Sequence, residues 1–281
     1  MISSNQRLKD KKALITGGSR GIGKVVAEYF LKEGASVMLA ARSLDELKKA
    51  KSNLSKISPN VEISVTDVAN PAEVKKLINE TLKVLGNIDI LVNAAGIYGP
   101  IGPSHEVDHS EWKKTYEINL FGTFNVYQNV VPVMKKNGGK IINFSGGGDG
   151  PLPNFSAYNS SKAAITRLTE TLAEEIKKYN IDINVIAPGP VNTHFLDVAL
   201  SAGEDKAGKE RYQKLLEQKE SGGTSPEKAA ELCVFLASKD SDGLTGKYLS
   251  AVWDKWQTWD KAKIKELSKS DIFTLKRVKE L

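Results

Sequence analysis

Two side chains four residues apart, Tyr158 and Lys162, are the first candidates for chemistry in this chain. They sit in a helical pattern whose apolar positions Ile165, Leu168, Leu172 and Ile176 share one face. The spacing puts both side chains on one side of a helix, a turn apart. An ammonium beside a phenol favours the phenolate, lowering a pKa that starts at about 10 toward values useful for proton transfer. The same spacing also describes a solvated helix face, so the rest of the chain has to supply the context.

A second constellation lies near the N-terminus. A short apolar run, 13–16, ends in a turn with Gly17, Gly21 and Gly23 interleaved with Ser19, Arg20 and Ile22, and a helical pattern follows. Glycines there permit a tight turn and let backbone N–H groups approach a diphosphate at the positive helix end. The next apolar run ends Ala40-Ala41-Arg42-Ser43. A protein using unphosphorylated NAD usually offers a carboxylate to the ribose at that point. Here a guanidinium stands beside the place, and Arg20 is within reach of it. Two arginines suit a 2′-phosphate, so the predicted cofactor is NADP rather than NAD.

The elements that must position these groups alternate. Apolar runs at 13–16, 36–41, 62–66, 88–92, 141–144, 183–186 and 248–252 read as strands. Helical patterns fall between them, among them 44–54, 71–85, a long helix from about 110, and 226–236. Continuous apolar strands separated by helices predict a doubly wound parallel sheet with helices on both faces, an α/β Rossmann-type fold in a single domain. Ligands of such sheets bind beyond the carboxyl ends of the strands, where all these motifs lie. Segment 193–223 is polar and irregularly periodic and reads as a mobile flap. Residues 1–253 form the expected catalytic domain and 254–281 an extension carrying Trp256 and Trp259, packed on the body or on a partner subunit.

Composition bounds the remaining possibilities. The 281 residues are 40% hydrophobic and 26% charged, as in soluble globular proteins. The single Cys233 excludes an internal disulfide. The first twelve residues lack a signal-peptide core and no apolar run reaches membrane-span length, so a cytoplasmic location and no membrane partner are expected. The net charge of +6 comes from lysines scattered among Glu and Asp, which argues against a nucleic-acid partner. His105, His109 and His194 show no ligand spacing, and no metal is expected.

Read together, the chain resembles the short-chain dehydrogenase/reductase family from about Leu8 to Val252. Six motifs in the family's order carry the resemblance. They are Thr16-Gly-Gly-Ser-Arg-Gly-Ile-Gly23, Asp67-Val68, Asn93-Ala94-Ala95-Gly96, Asn119 in Asn-Leu-Phe-Gly122, Tyr158-x-x-x-Lys162, and Pro188-Gly189-x-x-x-Thr193. The resemblance implies Tyr158 as general acid or base, and Lys162 as its activator and a holder of the nicotinamide ribose. It implies Asn119 as anchor of a water linked to Lys162, and a serine bonding the substrate oxygen. It places Asp67 and Val68 at the adenine, the backbone of 93–96 along the cofactor, and Thr193 at the carboxamide. A homodimer or homotetramer acting on a small carbonyl or alcohol is implied too.

Three departures stand out. The family's strand usually ends in two serines, the second catalytic, whereas this one ends Phe144-Ser145-Gly146-Gly147-Gly148. Counting forward from the strand gives Gly146; counting back from Tyr158 gives Ser145, which is the expected catalytic serine, with Ser156 too near the helix to substitute. The segment 244–253 lacks the family's Val-Asp-Gly-Gly type of ending, and the extension follows it. The expected function is hydride transfer between NADP and a carbonyl/alcohol pair. The alternatives are a catalytically impaired cofactor-binding sensor or scaffold, and an NAD(P)-using epimerase or dehydratase.

Overall fold

The computed structural model describes residues 6–146 and 150–276. Seven strands form one sheet: β1 Lys12–Thr16, β2 Ser36–Ala41, β3 Val61–Val65, β4 Ile90–Asn93, β5 Gly139–Phe144, β6 Ile181–Ala187 and β7 Tyr248–Ser250. Their order is β3-β2-β1-β4-β5-β6-β7 and every pairing is parallel. The order reverses between β1 and β4, whose register sets Thr16 beside Asn93. Beyond that reversal the carboxyl ends of two strands splay apart and leave a crevice.

Alternation along each strand divides the core. Ala13, Ile15, Val37, Leu39, Ile90 and Val92 face one layer; Leu14, Met38, Ala40 and Leu91 face the other. The first layer is completed by α1 (Gly21–Lys32), α2 (Leu44–Leu54) and α10 (Pro226–Ala237). The second is completed by α3 (Pro71–Leu85), α5 (Gly122–Met134) and α6 (Ser156–Ile176). Burial on both faces explains why the inner strands carry no polar stripe. β3, at the sheet edge, leaves Val65 exposed.

Helix starts follow local chemistry. Ser43 accepts from the Glu46 N–H, Asn70 caps α3 ahead of Pro71, and Asp108 caps α4 (His109–Tyr116). By contrast α1 opens on Arg20 with no side-chain cap, so its first N–H groups face the crevice unclaimed.

Two sequence expectations change here. The long helix from about 110 is broken by a π-helical segment, Glu117–Phe121, between α4 and α5. The wider turn swings Asn119 into full burial. The stretch 193–223 is not irregular: it folds into α7 (His194–Ser201), α8 (Gly203–Ala207) and α9 (Lys209–Ser221). These helices close over a small core of their own, Phe155, Leu196, Ala199, Ala207 and Leu215. Few of its residues are apolar because only one face of each short helix is covered. The described part of the extension, including α11 (Lys261–Ser268), joins the main core through Trp256, Ile264 and Leu267.

Candidate active site

One cleft of about 1410 Å³ runs across the carboxyl ends of the strands. At one end lies the glycine turn. A Cβ at Gly17, whose φ is +66°, would stand 2.8 Å from the Ala94 and Ala95 backbone, and one at Gly23 would run into the Gly17 carbonyl oxygen. Both positions therefore admit no side chain. The result is a closely wound turn pressed against the loop after β4, with the uncapped start of α1 opening into the cleft. A tight glycine turn with free N–H groups at a helix's positive end fits a diphosphate.

The predicted cofactor residues Gly17, Ser19, Arg20, Gly21, Ile22, Gly23, Arg42, Asp67, Val68, Ala94, Ala95, Gly96, Pro188, Gly189 and Thr193 all line this cleft. Asn93 does not. Its side chain donates to Asn143 Oδ1 (2.9 Å), and Asn143 donates in turn to Thr169 Oγ1 (2.9 Å). It ties β4 to β5 and α6 from inside the sheet, so the loop's contribution to the cleft begins at Ala94.

Arg20 also differs from expectation. Its guanidinium is paired with Glu46 (3.0 Å), which accepts from the Ser19 hydroxyl as well (3.1 Å). A carboxylate on α2 therefore stands near the end of β2 after all, supplied by Glu46 from the first turn of the helix rather than by the strand end. Arg42 has no ion pair among the described residues.

The catalytic candidates meet at the other end. Tyr158 and Lys162 project from α6, the lysine Nζ lying 5.8 Å from the Tyr158 ring centre. Lys162 is 5% exposed and donates to the Phe144 carbonyl oxygen at the end of β5 (2.8 Å). Burial pushes its pKa down to about 8. The expected lowering of the Tyr158 pKa is not seen in this arrangement. Burial drives the phenol above its ordinary value, the phenols of Tyr98 and Tyr248 add to the rise, and Arg211 opposes it. The lysine does not offset the burial, since its Nζ is engaged by the Phe144 carbonyl oxygen and stands 5.8 Å from the ring centre.

Asn119 is wholly buried. It accepts from the Ile97 N–H (2.9 Å) and donates to the Ile97 carbonyl and the Ser161 hydroxyl (3.0 Å each). The π-helical turn, the loop after β4 and α6 are thus joined by one amide. Gly96 sits between this amide and the lysine: a Cβ there would lie 3.2 Å from Asn119 Oδ1 and 3.6 Å from Lys162 Nζ.

Ser145 lines the cleft together with Gly146, Tyr158 and Lys162. It is 3% exposed and its Oγ accepts from Thr166 Oγ1 (3.3 Å) behind the strand end. The group against the Tyr158 hydroxyl is Gly146, where a Cβ would lie 2.7 Å from it at a φ of +147°. Positions 147–149 of the glycine-rich loop fall outside the described residues.

Three further rings cluster with the phenol, and the sequence did not link them together. Tyr98 lies edge-on to Tyr158 (4.6 Å), Phe195 (4.7 Å) and Phe155 (5.3 Å), and Phe195 of α7 reaches within 5.9 Å of Tyr158. Arg211 of α9 stands 5.9 Å from the Phe155 ring. Tyr98 follows the Gly96 turn by two residues, but neither it nor Arg211 carries a motif.

The short chain dehydrogenase family matches residues 11–202. The chain belongs to the short-chain dehydrogenase/reductase family. It is 34% identical over 253 residues to dehydrogenase/reductase SDR family member 4 of Caenorhabditis elegans, covering 89% of this chain and 96% of that protein. It is 32% identical to the uncharacterized oxidoreductase YxbG of Bacillus subtilis (strain 168), covering 87% and 90%. Among solved structures it is similar to a 7α-hydroxysteroid dehydrogenase complexed with NADH and 7-oxoglycochenodeoxycholic acid. That match has a TM-score of 0.79 at 31% identity, over 89% and 96% of the two chains. NAD⁺-bound xylitol dehydrogenase matches with a TM-score of 0.80 at 27% identity, over 86% and 98%. The short-chain dehydrogenase/reductase described here is accordingly an oxidoreductase acting on CH–OH/C=O groups, in a family whose members use NAD(P). No described helix is long and apolar enough to cross a membrane.

Proposed function

We propose that this enzyme transfers a hydride between NADP(H) and a carbonyl/alcohol substrate, with Tyr158 moving the proton. The observation that carries the reading is the continuity of the cleft, which joins the Gly17–Gly23 turn to Tyr158 and Lys162 without a partition. The nicotinamide, when bound, supplies the hydride; the chain supplies position and electrostatics. The turn and the start of α1 hold the diphosphate. Asp67 and Val68 border the adenine end, and Thr193 with Pro188 and Gly189 the nicotinamide end.

In reduction Tyr158 donates its proton to the substrate oxygen as negative charge develops there, and in oxidation it takes the proton back. Lys162, carried on the same helix face, places its charge beside the phenol and the ribose. Lys162 and Asn119, flanking Gly96, continue the proton path to a bridging water. The three helices over 193–223 cover the substrate end, with Phe195 and Arg211 turned into it.

Arg42 supports NADP over NAD, because it lines the cleft at the end of β2 with no carboxylate of its own. Glu46 works against it by holding Arg20. Equilibrium binding of NADPH and NADH to the wild type, Arg42→Ala and Glu46→Gln tests the balance. NADPH should bind about tenfold more tightly to the wild type, the value of one charge-assisted contact. Arg42→Ala should erase the difference, and Glu46→Gln should widen it by freeing Arg20. NADH bound more than tenfold more tightly than NADPH by the wild type would overturn the preference.

A further inference from the structure

Beyond the groups at the end of β5, the cleft around Tyr158 carries a charged one. Ser145 lines the cleft and accepts from Thr166, and Gly146 has no side chain. The charged group is a cation. Arg211 reaches from α9 into the same cleft as Tyr98, Leu152, Tyr158 and Phe195. Its guanidinium faces the Phe155 ring, and its Nε is buried with no hydrogen-bond partner. Among the described residues no carboxylate pairs with it. Its neighbour is the Tyr98 phenol, on whose titration it acts directly. A half-buried guanidinium walled by aromatic rings, with no counter-charge among the described residues, is costly, because removing charge from water is repaid only by a partner of opposite sign. The planar fork matches a carboxylate, which it can hold through two parallel hydrogen bonds.

We propose that Arg211, seated with Tyr98 in the cleft that holds Tyr158, binds a carboxylate of the substrate, so that the physiological substrates are short oxo acids or hydroxy acids. The inference rests on the oxidoreductase reading above and gives it a substrate class. The aromatic rings exclude water around the pair and so strengthen it. Because Phe195 lies on α7 and Arg211 on α9, the helices over 193–223 deliver both the wall and the charge.

The test compares matched probes: 2-oxobutanoate, 3-oxobutanoate and 4-oxopentanoate, each beside its methyl ester, reduced with NADPH and with NADH. Wild type, Arg211→Leu and Arg211→Lys are assayed, with thermal unfolding confirming that each variant folds. At least one acid should be preferred over its ester, and Arg211→Leu should lower kcat/KM for that acid about 100-fold, largely through KM, as expected for a charged hydrogen-bonded contact. The ester should change less than about threefold, and Arg211→Lys should retain part of the acid preference while losing the bidentate geometry. Equal loss for acid and ester, or no acid preferred, would overturn the proposal while leaving the oxidoreductase reading in place. Titration calorimetry of the same acids separates the two ideas. Arg211-dependent binding with no turnover would keep the carboxylate site and overturn short oxo acids as substrates of the proposed hydride transfer, whereas no binding and no turnover of any acid would remove the carboxylate site.

Discussion

Lys162 shows what the residue scale adds to a motif. Its spacing from Tyr158 was legible, but the spacing says nothing about solvent, and burial is what sets the charge. The folded-state pKa of about 8 lies below the ordinary lysine value of 10.5. Between those two pH values the unfolded chain binds the extra proton, so the lysine's penalty on folding is full below pH 8 and relieved as pH rises toward 10.5. The shift corresponds to about 3 kcal/mol at neutral pH. Lys162→Met should therefore raise the stability of the unliganded enzyme at pH 7, raise it far less at pH 10, and abolish turnover. Urea unfolding at the two pH values checks this, and a variant equally stabilised at both would contradict the assignment. Ser145 illustrates the opposite case. Counting residues could not choose between Ser145 and Gly146, because the choice depends on which way a strand end turns.

At the scale of elements the glycine turn was the most legible part of the cofactor end. Each glycine has a steric reason that its sequence context announces: strand before, helix after. Gly17→Ala should weaken NADPH binding at least about tenfold by forcing the turn away from the loop at Ala94 and Ala95. It should leave the distant Trp256 packing intact, and fluorescence titration with NADPH is the measurement. The π-helical turn at Glu117–Phe121 was not legible, since its apolar spacing matches an α-helix and only the buried position of Asn119 explains it. The helices over 193–223 were hidden for another reason. Their pattern is faint because they bury little, and α9 holds a single buried leucine, Leu215. Glu46 was overlooked because the rule for ribose recognition points to the strand end, whereas this carboxylate arrives from the first turn of α2.

On the scale of the molecule, the alternation of strands and helices fixed the sheet, its parallel sense and the edge at which ligands bind. Which helices cover which face followed only from the three-dimensional order. The described extension behaves as part of the body: Trp256 is 4% exposed against Phe235 (5.6 Å), and Trp259 bridges Phe235 and Phe273. Trp256→Ala should cost about 3–5 kcal/mol, read by denaturant unfolding, through the cavity left beside α10. Every strand end, the turn and both proton-handling groups then serve one claim, that Tyr158 moves the proton in NAD(P)-linked carbonyl chemistry. The most direct test is NADPH and NADH oxidation across aldehydes, ketones, oxo acids and 3-oxoacyl thioesters by wild type and Tyr158→Phe, with cofactor binding measured alongside. The account predicts turnover of at least one carbonyl by the wild type, and loss of about 1000-fold or more in Tyr158→Phe with cofactor affinity unchanged. Turnover that survives the loss of the phenol would contradict it.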